Sequence, residues 1–201
     1  MSTPIAIERY FGPGGELERS VPGFRQRPQQ VEFARAVLQA IERRGVLIAE
    51  AGTGTGKTFA YLVPALLAGQ KVIVSTGTRT LQDQLFHRDL PKVRAALGVP
   101  VDLALLKGRA NYVCLHHLAI AAEEGQFGSR DEAAHIHRIK RFAKGTMTGD
   151  KAECLDVPET SGAWSRATST RENCLGSACG DYKECFVMKA RKRAFITKHS
   201  L

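Results

Sequence analysis

The segment "VLIAEAGTGTGKT" (residues 46–58) constrains this chain more tightly than any other part of it. Residues 46–50 form a short apolar run rich in β-formers, which reads as a buried strand. Residues 51–58 match the phosphate-loop pattern G-x-x-x-x-G-K-[ST], with Ala51 in place of the first glycine. A helix is expected from Lys57 to about Leu67. Gly52, Gly54 and Gly56 let consecutive backbone N–H groups turn inward as an anion nest. The following helix aims the positive end of its dipole at the same point. Lys57 adds a point charge for the β- and γ-phosphates, and Thr58 a hydroxyl for Mg²⁺. The loop Ala51, Gly52, Thr53, Gly54, Thr55, Gly56, Lys57 and Thr58 is therefore the expected nucleotide site. The bland alternative is a glycine-rich turn with a chance Lys-Thr. A strand before it and a helix after it argue against that alternative.

From Pro28 the pattern is helical. Val31, Ala34, Val37, Leu38 and Ile41 share one face, and Gly45 ends the run. "KVIVST" (71–76) and "VDLALLK" (101–107) are further strand candidates, with a helix from near Arg79 that Pro91 interrupts. Strands alternating with helices predict a parallel α/β sheet. Residues 1–24 carry Gly-Pro-Gly-Gly at 12–15 and read as turns around a short extended piece. Beyond about residue 110 the character changes to short helices, and residues 145–173 look loop-rich. The expected domains are a P-loop core over 1–108, a cysteine-bearing insert over 109–190 and an end segment over 191–201.

The formal net charge of +9 favours an anionic partner, most simply nucleic acid. A solubilising surface is the alternative. No apolar run of about 18 residues and no signal-type start is present, which predicts a cytoplasmic protein without a membrane span. Clustered thiols in such a chain suggest metal chemistry rather than a disulfide framework. Cys174, Cys179 and Cys185 are spaced C-x4-C-x5-C. A four-coordinate site needs one more ligand, from Cys114 or Cys154. The spacing fits paired zinc knuckles poorly, but it leaves both zinc and an iron–sulfur cluster open. It does not choose the fourth cysteine. His116 and His117 read as surface or packing residues, and His135 and His137 show no ligand pattern.

Several segments resemble known helicase motifs. "TGTGKT" preceded by alanine is similar to the loop of superfamily 2 helicases. "RPQQ" (27–30) resembles their Q-motif, which implies that the Gln30 amide reads the adenine of ATP beside Arg27. "STGTRTLQDQL" (75–85) resembles motif Ia, which implies phosphate contacts to single-stranded DNA from Thr76, Thr78 and Arg79. A plain threonine N-cap is the alternative there. "LLKGRANYVC" (105–114) and "STRENCLGSACGDYKECFVMKARKRA" (169–194) resemble the cluster-binding segments of the XPD-like iron–sulfur helicases, in the DinG/YoaA branch. The resemblance runs from about Pro22 to Ala194.

It implies a RecA-like P-loop NTPase motor with an inserted iron–sulfur domain. The implied [4Fe–4S] ligands are Cys114, Cys174, Cys179 and Cys185, with Cys154 a spare thiol. Lys107 and Arg109 would contact the nucleic-acid backbone, as would Lys189, Arg191, Lys192 and Arg193 unless they are only a solvated helix face. Tyr112 and Trp164 are candidates for base stacking, with core packing favoured. The implied activity is ATP-dependent DNA unwinding in repair, with single-stranded or forked DNA as the partner.

No Asp-Glu-x-His acid pair and no second motor domain occur, and the last seven residues depart from the family pattern. The expectation is a helicase fragment with an incomplete sheet and a truncated or unrelated tail, poor in ATP hydrolysis and unable to unwind DNA. Two alternatives from other classes remain. One is a zinc-stabilised, non-enzymatic nucleic-acid-binding module. The other is a different P-loop enzyme such as a small kinase.

Overall fold

The computed structural model describes residues 7–52, 54–197 and 199–200. They fall into two compact units, Met1–Ala104 with Thr197–Leu201, and Leu105–Ile196.

The first unit opens with two short helices, α1 (Ile7–Phe11) and α2 (Glu16–Ser20), where turns around an extended piece were expected. Ile7, Phe11 and Leu17 are fully buried. A five-residue helix makes little more than one turn, too short to show the 3.6-residue period in sequence. Helix α3 (Pro28–Glu42) carries its proline in the first turn, where a missing N–H costs nothing. Its buried face, Gln30, Val31, Ala34 and Leu38, packs on α4 (Lys57–Leu67), which buries Ala60, Leu62, Val63 and Leu66. Helices α5 (Arg79–Gln84) and α6 (Leu90–Leu97) are joined by a wide helical turn, Leu85–Asp89. Pro91 therefore does not interrupt the helix. It sits in the first turn of α6, and the Leu90 N–H reaches back five residues to the Leu85 carbonyl.

The parallel sheet is small. Strands β1 (Val72–Ile73), β2 (Leu103–Ala104) and β3 (His199–Ser200) run parallel in the order β1-β3-β2, with His199 in register with both Val72 and Leu103. Residues 46–50, expected as a buried strand, form no ladder among the described residues. Their side chains still alternate. Leu47 and Ala49 line a groove of about 680 Å³ with Val37 and Ile41, while Val46 and Ile48 are 92% and 95% exposed. All five residues are exposed, so the expected buried strand is absent there, and a ladder needs a neighbour. Residues 191–196 complete α10 (Phe186–Ile196), and 199–200 form the middle strand of the first unit.

The second unit packs α7 (Leu115–Glu124), α8 (Arg130–Gly145), α9 (Ala163–Ala167) and α10 around Val113, Leu118, Ile136, Ile139, Trp164 and Phe186. Ser129 caps α8 by accepting from the Glu132 N–H at 3.1 Å, and Glu132 accepts from Gly128 N–H at 2.8 Å. Gly149 has φ +66°, and a Cβ there would lie 2.2 Å from the Phe186 ring, so both its backbone and its contact with α10 require glycine. Tyr112 and Trp164 lie in this core. The Trp164 N–H donates to Pro158 O at 3.1 Å, and the Tyr112 hydroxyl accepts from the Lys107 N–H at 2.9 Å.

Lys107 pairs with Asp150 at 2.6 Å, with side chains only 3% and 9% exposed. Removing one member of such a pair strands the other charge away from water. Asp150→Ala should therefore destabilise the second unit by about 3–5 kcal/mol. The check is urea unfolding followed by the fluorescence of Trp164, the only tryptophan in the chain. A loss below about 1 kcal/mol would mean that the pair is solvated in solution.

Candidate functional sites

In the first unit the glycine loop leads into α4. Gly54 and Gly56 have φ of +76° and +81°. The α3–α4 contact brings Gln30 onto the loop, where its Nε2 donates to Gly56 O at 2.9 Å. A Cβ on Gly56 would lie 2.2 Å from that nitrogen, so Gly56 is set by both its φ and its neighbour. Gln30 is 4% exposed, yet its Oε1 is buried without a partner. A buried acceptor left unpaired is costly, and a ligand N–H would satisfy it. Gln30, Gly56, Arg27, Phe24 and Phe59 line one cavity of about 320 Å³. The Lys57 ammonium donates to the carbonyls of Ala51 and Gly52, the latter at 2.9 Å. Thr55 donates to Gly52 O at 3.0 Å. Thr58 hydrogen-bonds Tyr61, whose phenol burial pushes up while this bond pulls it down. Thr53 lies outside the described residues.

At the start of α5, the Thr78 hydroxyl caps the helix by accepting from the Leu81 N–H at 3.2 Å. Thr76 donates to Thr78 O at 3.2 Å, and Arg79 is exposed in the first turn. The simple capping role is thus present.

In the second unit, Cys114, Cys174, Cys179 and Cys185 line a single cavity of about 250 Å³. Cys154 does not line it; it is packed in the core at 5% exposure. Cys114 immediately precedes α7, and its N–H donates to Ala167 O at 2.8 Å. Burial pushes its thiol up, and Cys185 adds to this. The facing N–H groups of His117 and His116 and the Ser169 hydroxyl pull the other way. Cys174 receives two donors, Arg109 Nη1 at 2.9 Å and the Gly176 N–H at 3.4 Å. Burial, then Asp156, pushes the Cys154 thiol up, which keeps it protonated.

Two residues expected on nucleic acid are used internally. Lys107 is buried against Asp150, and Arg109 serves the Cys174 sulfur. In the basic run, Lys189 pairs with Glu184 at 2.5 Å and Arg191 lines the thiol cavity, while Lys192 and Arg193 are exposed. The structure adds residues that sequence reasoning passed over. His116, read as surface or packing, has its ring within 4.8 Å of the ligand atoms of both Cys179 and Asp181. The available signal was proximity in the chain, since His116 follows Cys114 by two and Asp181 follows Cys179 by two.

The DEAD/DEAH box helicase family matches residues 27–118, a span that contains the glycine loop, the Gln30 contact and the Thr78 cap. The ATP-dependent DNA helicase YoaA of Haemophilus influenzae is 48% identical over 94% of the chain, and YoaA of Escherichia coli is 50% identical over 92%. The ATP-dependent helicase DinG of Mycobacterium tuberculosis is 36% identical over 89%. Residues 27–118 belong to a DEAD/DEAH box helicase domain. It spans 29% of the length of either YoaA relative and 31% of DinG. The helicase-domain match suggests a P-loop NTPase fold, and the glycine loop, its flanking helices and a short parallel sheet are present among the described residues. No described helix is long and apolar enough to cross a membrane.

Gly56→Ala should cost about 1–2 kcal/mol from the left-handed φ alone, and more from the displaced Gln30. Thermal unfolding and the affinity for a fluorescent ATP analogue should both fall. An unchanged melting temperature would show that neither the left-handed φ of Gly56 nor the close Gln30 approach persists in solution.

Proposed function

We propose that the chain is the nucleotide-binding and cluster-binding part of an ATP-dependent DNA helicase of the XPD-like iron–sulfur type, acting on single-stranded or forked DNA in repair. The observation that carries this reading is the convergence of four of the five thiols on one cavity, in a chain whose other unit holds a phosphate loop. The relatives' names support the helicase activity.

The ATP side rests on the chain's own groups. Loop N–H groups and the α4 N-terminus receive the phosphates, Lys57 leaves its carbonyl partners for the β/γ-phosphates, and Thr58 turns to Mg²⁺. The unpartnered Gln30 Oε1 accepts from the adenine amino group, with Arg27 alongside. Thr76, Thr78 and Arg79 contact the backbone of single-stranded DNA at the start of α5, and exposed Lys192 and Arg193 add charge from α10. Hydrolysis also needs a carboxylate on Mg²⁺ and the attacking water. No Asp-Glu-x-His segment occurs in this chain, so we propose that it binds ATP without efficient turnover and does not unwind DNA alone.

The metal side fits a [4Fe–4S] cluster held by Cys114, Cys174, Cys179 and Cys185. A Cys₄ zinc ion is enclosed by its ligands. A cavity of about 250 Å³ is several times the roughly 30 Å³ share of one water and suits a multi-atom group. Arg109 and Gly176 donate toward Cys174 sulfur, the kind of contact that stabilises thiolates and tunes clusters. When bound, the cluster supplies a rigid four-point link and an electron-accepting centre. Arg109 thus positions a ligand rather than DNA.

Cys114→Ser should lose iron and sulfide from the purified protein, whereas Cys154→Ser should retain both. Metal analysis and the visible spectrum read the difference. Iron kept by Cys114→Ser and lost by Cys154→Ser would overturn the ligand assignment.

A further inference from the structure

A second set of donors shares His116 and Cys179 with the lining of the thiol cavity. His116 stands in the first turn of α7. Cys179 and Asp181 flank Gly180, just after the tight turn Gly176–Ala178. One ligand atom from each lies within 4.8 Å of the other two, and all three residues are partly buried. Around one tetrahedral ion, such atoms sit about 3.5 Å apart, given metal–ligand bonds of about 2.0–2.3 Å. Imidazole, thiolate and carboxylate together form a donor set for zinc, with a fourth position open to water. The arrangement differs from the four-thiol set, because it takes one thiol and leaves Cys114, Cys174 and Cys185 out.

We propose that His116, Cys179 and Asp181 form a mononuclear zinc site that excludes the cluster, since both need the Cys179 thiolate. The site is then the resting state of the chain when iron–sulfur loading fails, and zinc and iron supply compete at one cysteine. The competition rests on the cluster assignment, but the mononuclear site does not.

The test uses the full chain produced in iron-depleted, zinc-supplemented medium, with native mass spectrometry for stoichiometry. One zinc per chain is expected. His116→Ala and Asp181→Asn should each lower zinc affinity tenfold or more against a chromophoric chelator, while Cys114→Ser leaves it unchanged. Cobalt substitution gives a second readout, expected to show thiolate charge transfer from one sulfur rather than four. Circular dichroism checks that each variant is folded. Zinc that survives His116→Ala but is lost with Cys114→Ser would overturn the proposal and put zinc on the four thiols. A zinc-free chain would overturn it as well. Neither result repeats the iron analysis of the Cys114 and Cys154 variants, so the two claims fail separately.

Discussion

The second unit is organised outward from one buried ion pair, Lys107 with Asp150. Two charges that leave water need each other, and each also fixes backbone around it. The Lys107 N–H binds the Tyr112 hydroxyl, and Tyr112 bridges to Asp150 in antiparallel fashion. The next residues follow in step, with Val113 N–H on Gly149 O and Cys114 N–H on Ala167 O, both at 2.8 Å. This stitching fixes where Cys114 sits before α7 begins. Between the ion pair and the cysteine, Arg109 extends to the Cys174 sulfur. The segment 107–114 is therefore a structural buckle across the thiol cavity, and its basic residues point inward.

That arrangement explains what sequence reading captured and what it did not. The glycine loop, α3 and α4 were legible because their signals are local: a proline at a helix start, an apolar face at helical spacing and a glycine pattern with one physical use. The contact of Gln30 with Gly56 O spans 26 residues and had no local signal; the motif resemblance marked Gln30 only for adenine. The inward turn of Lys107 was not legible, since a lysine beside a glycine and an arginine reads as a basic patch until Asp150 is placed. Residues 46–50 show the opposite limit. Their alternation is strand-like, but a β-ladder is a property of two segments. The tail at 199–200 supplies the central pairing of β1 and β2 through backbone groups that any sequence carries, so no residue pattern marked it as a strand. Spacing left Cys114 and Cys154 equivalent. Burial separates them, because one faces a cavity and the other a packed core.

The two units apply one principle to different ligands. In each, a group is held ready by partners that a ligand would replace or complete. Lys57 rests on loop carbonyls, and the Gln30 acceptor is left open beside a cavity. Cys174 already accepts from Arg109 and the Gly176 N–H, and four soft donors share one space. Such preorganisation costs folding stability when the site is empty, so ligand binding should stabilise each unit by mass action.

The measurement that bears most directly on this account is iron, acid-labile sulfide and zinc per chain, in protein made under iron-replete conditions and purified without oxygen. The account predicts about four irons and four sulfides per chain with a brown visible spectrum. One zinc and no sulfide under those conditions would contradict the iron–sulfur assignment at its base.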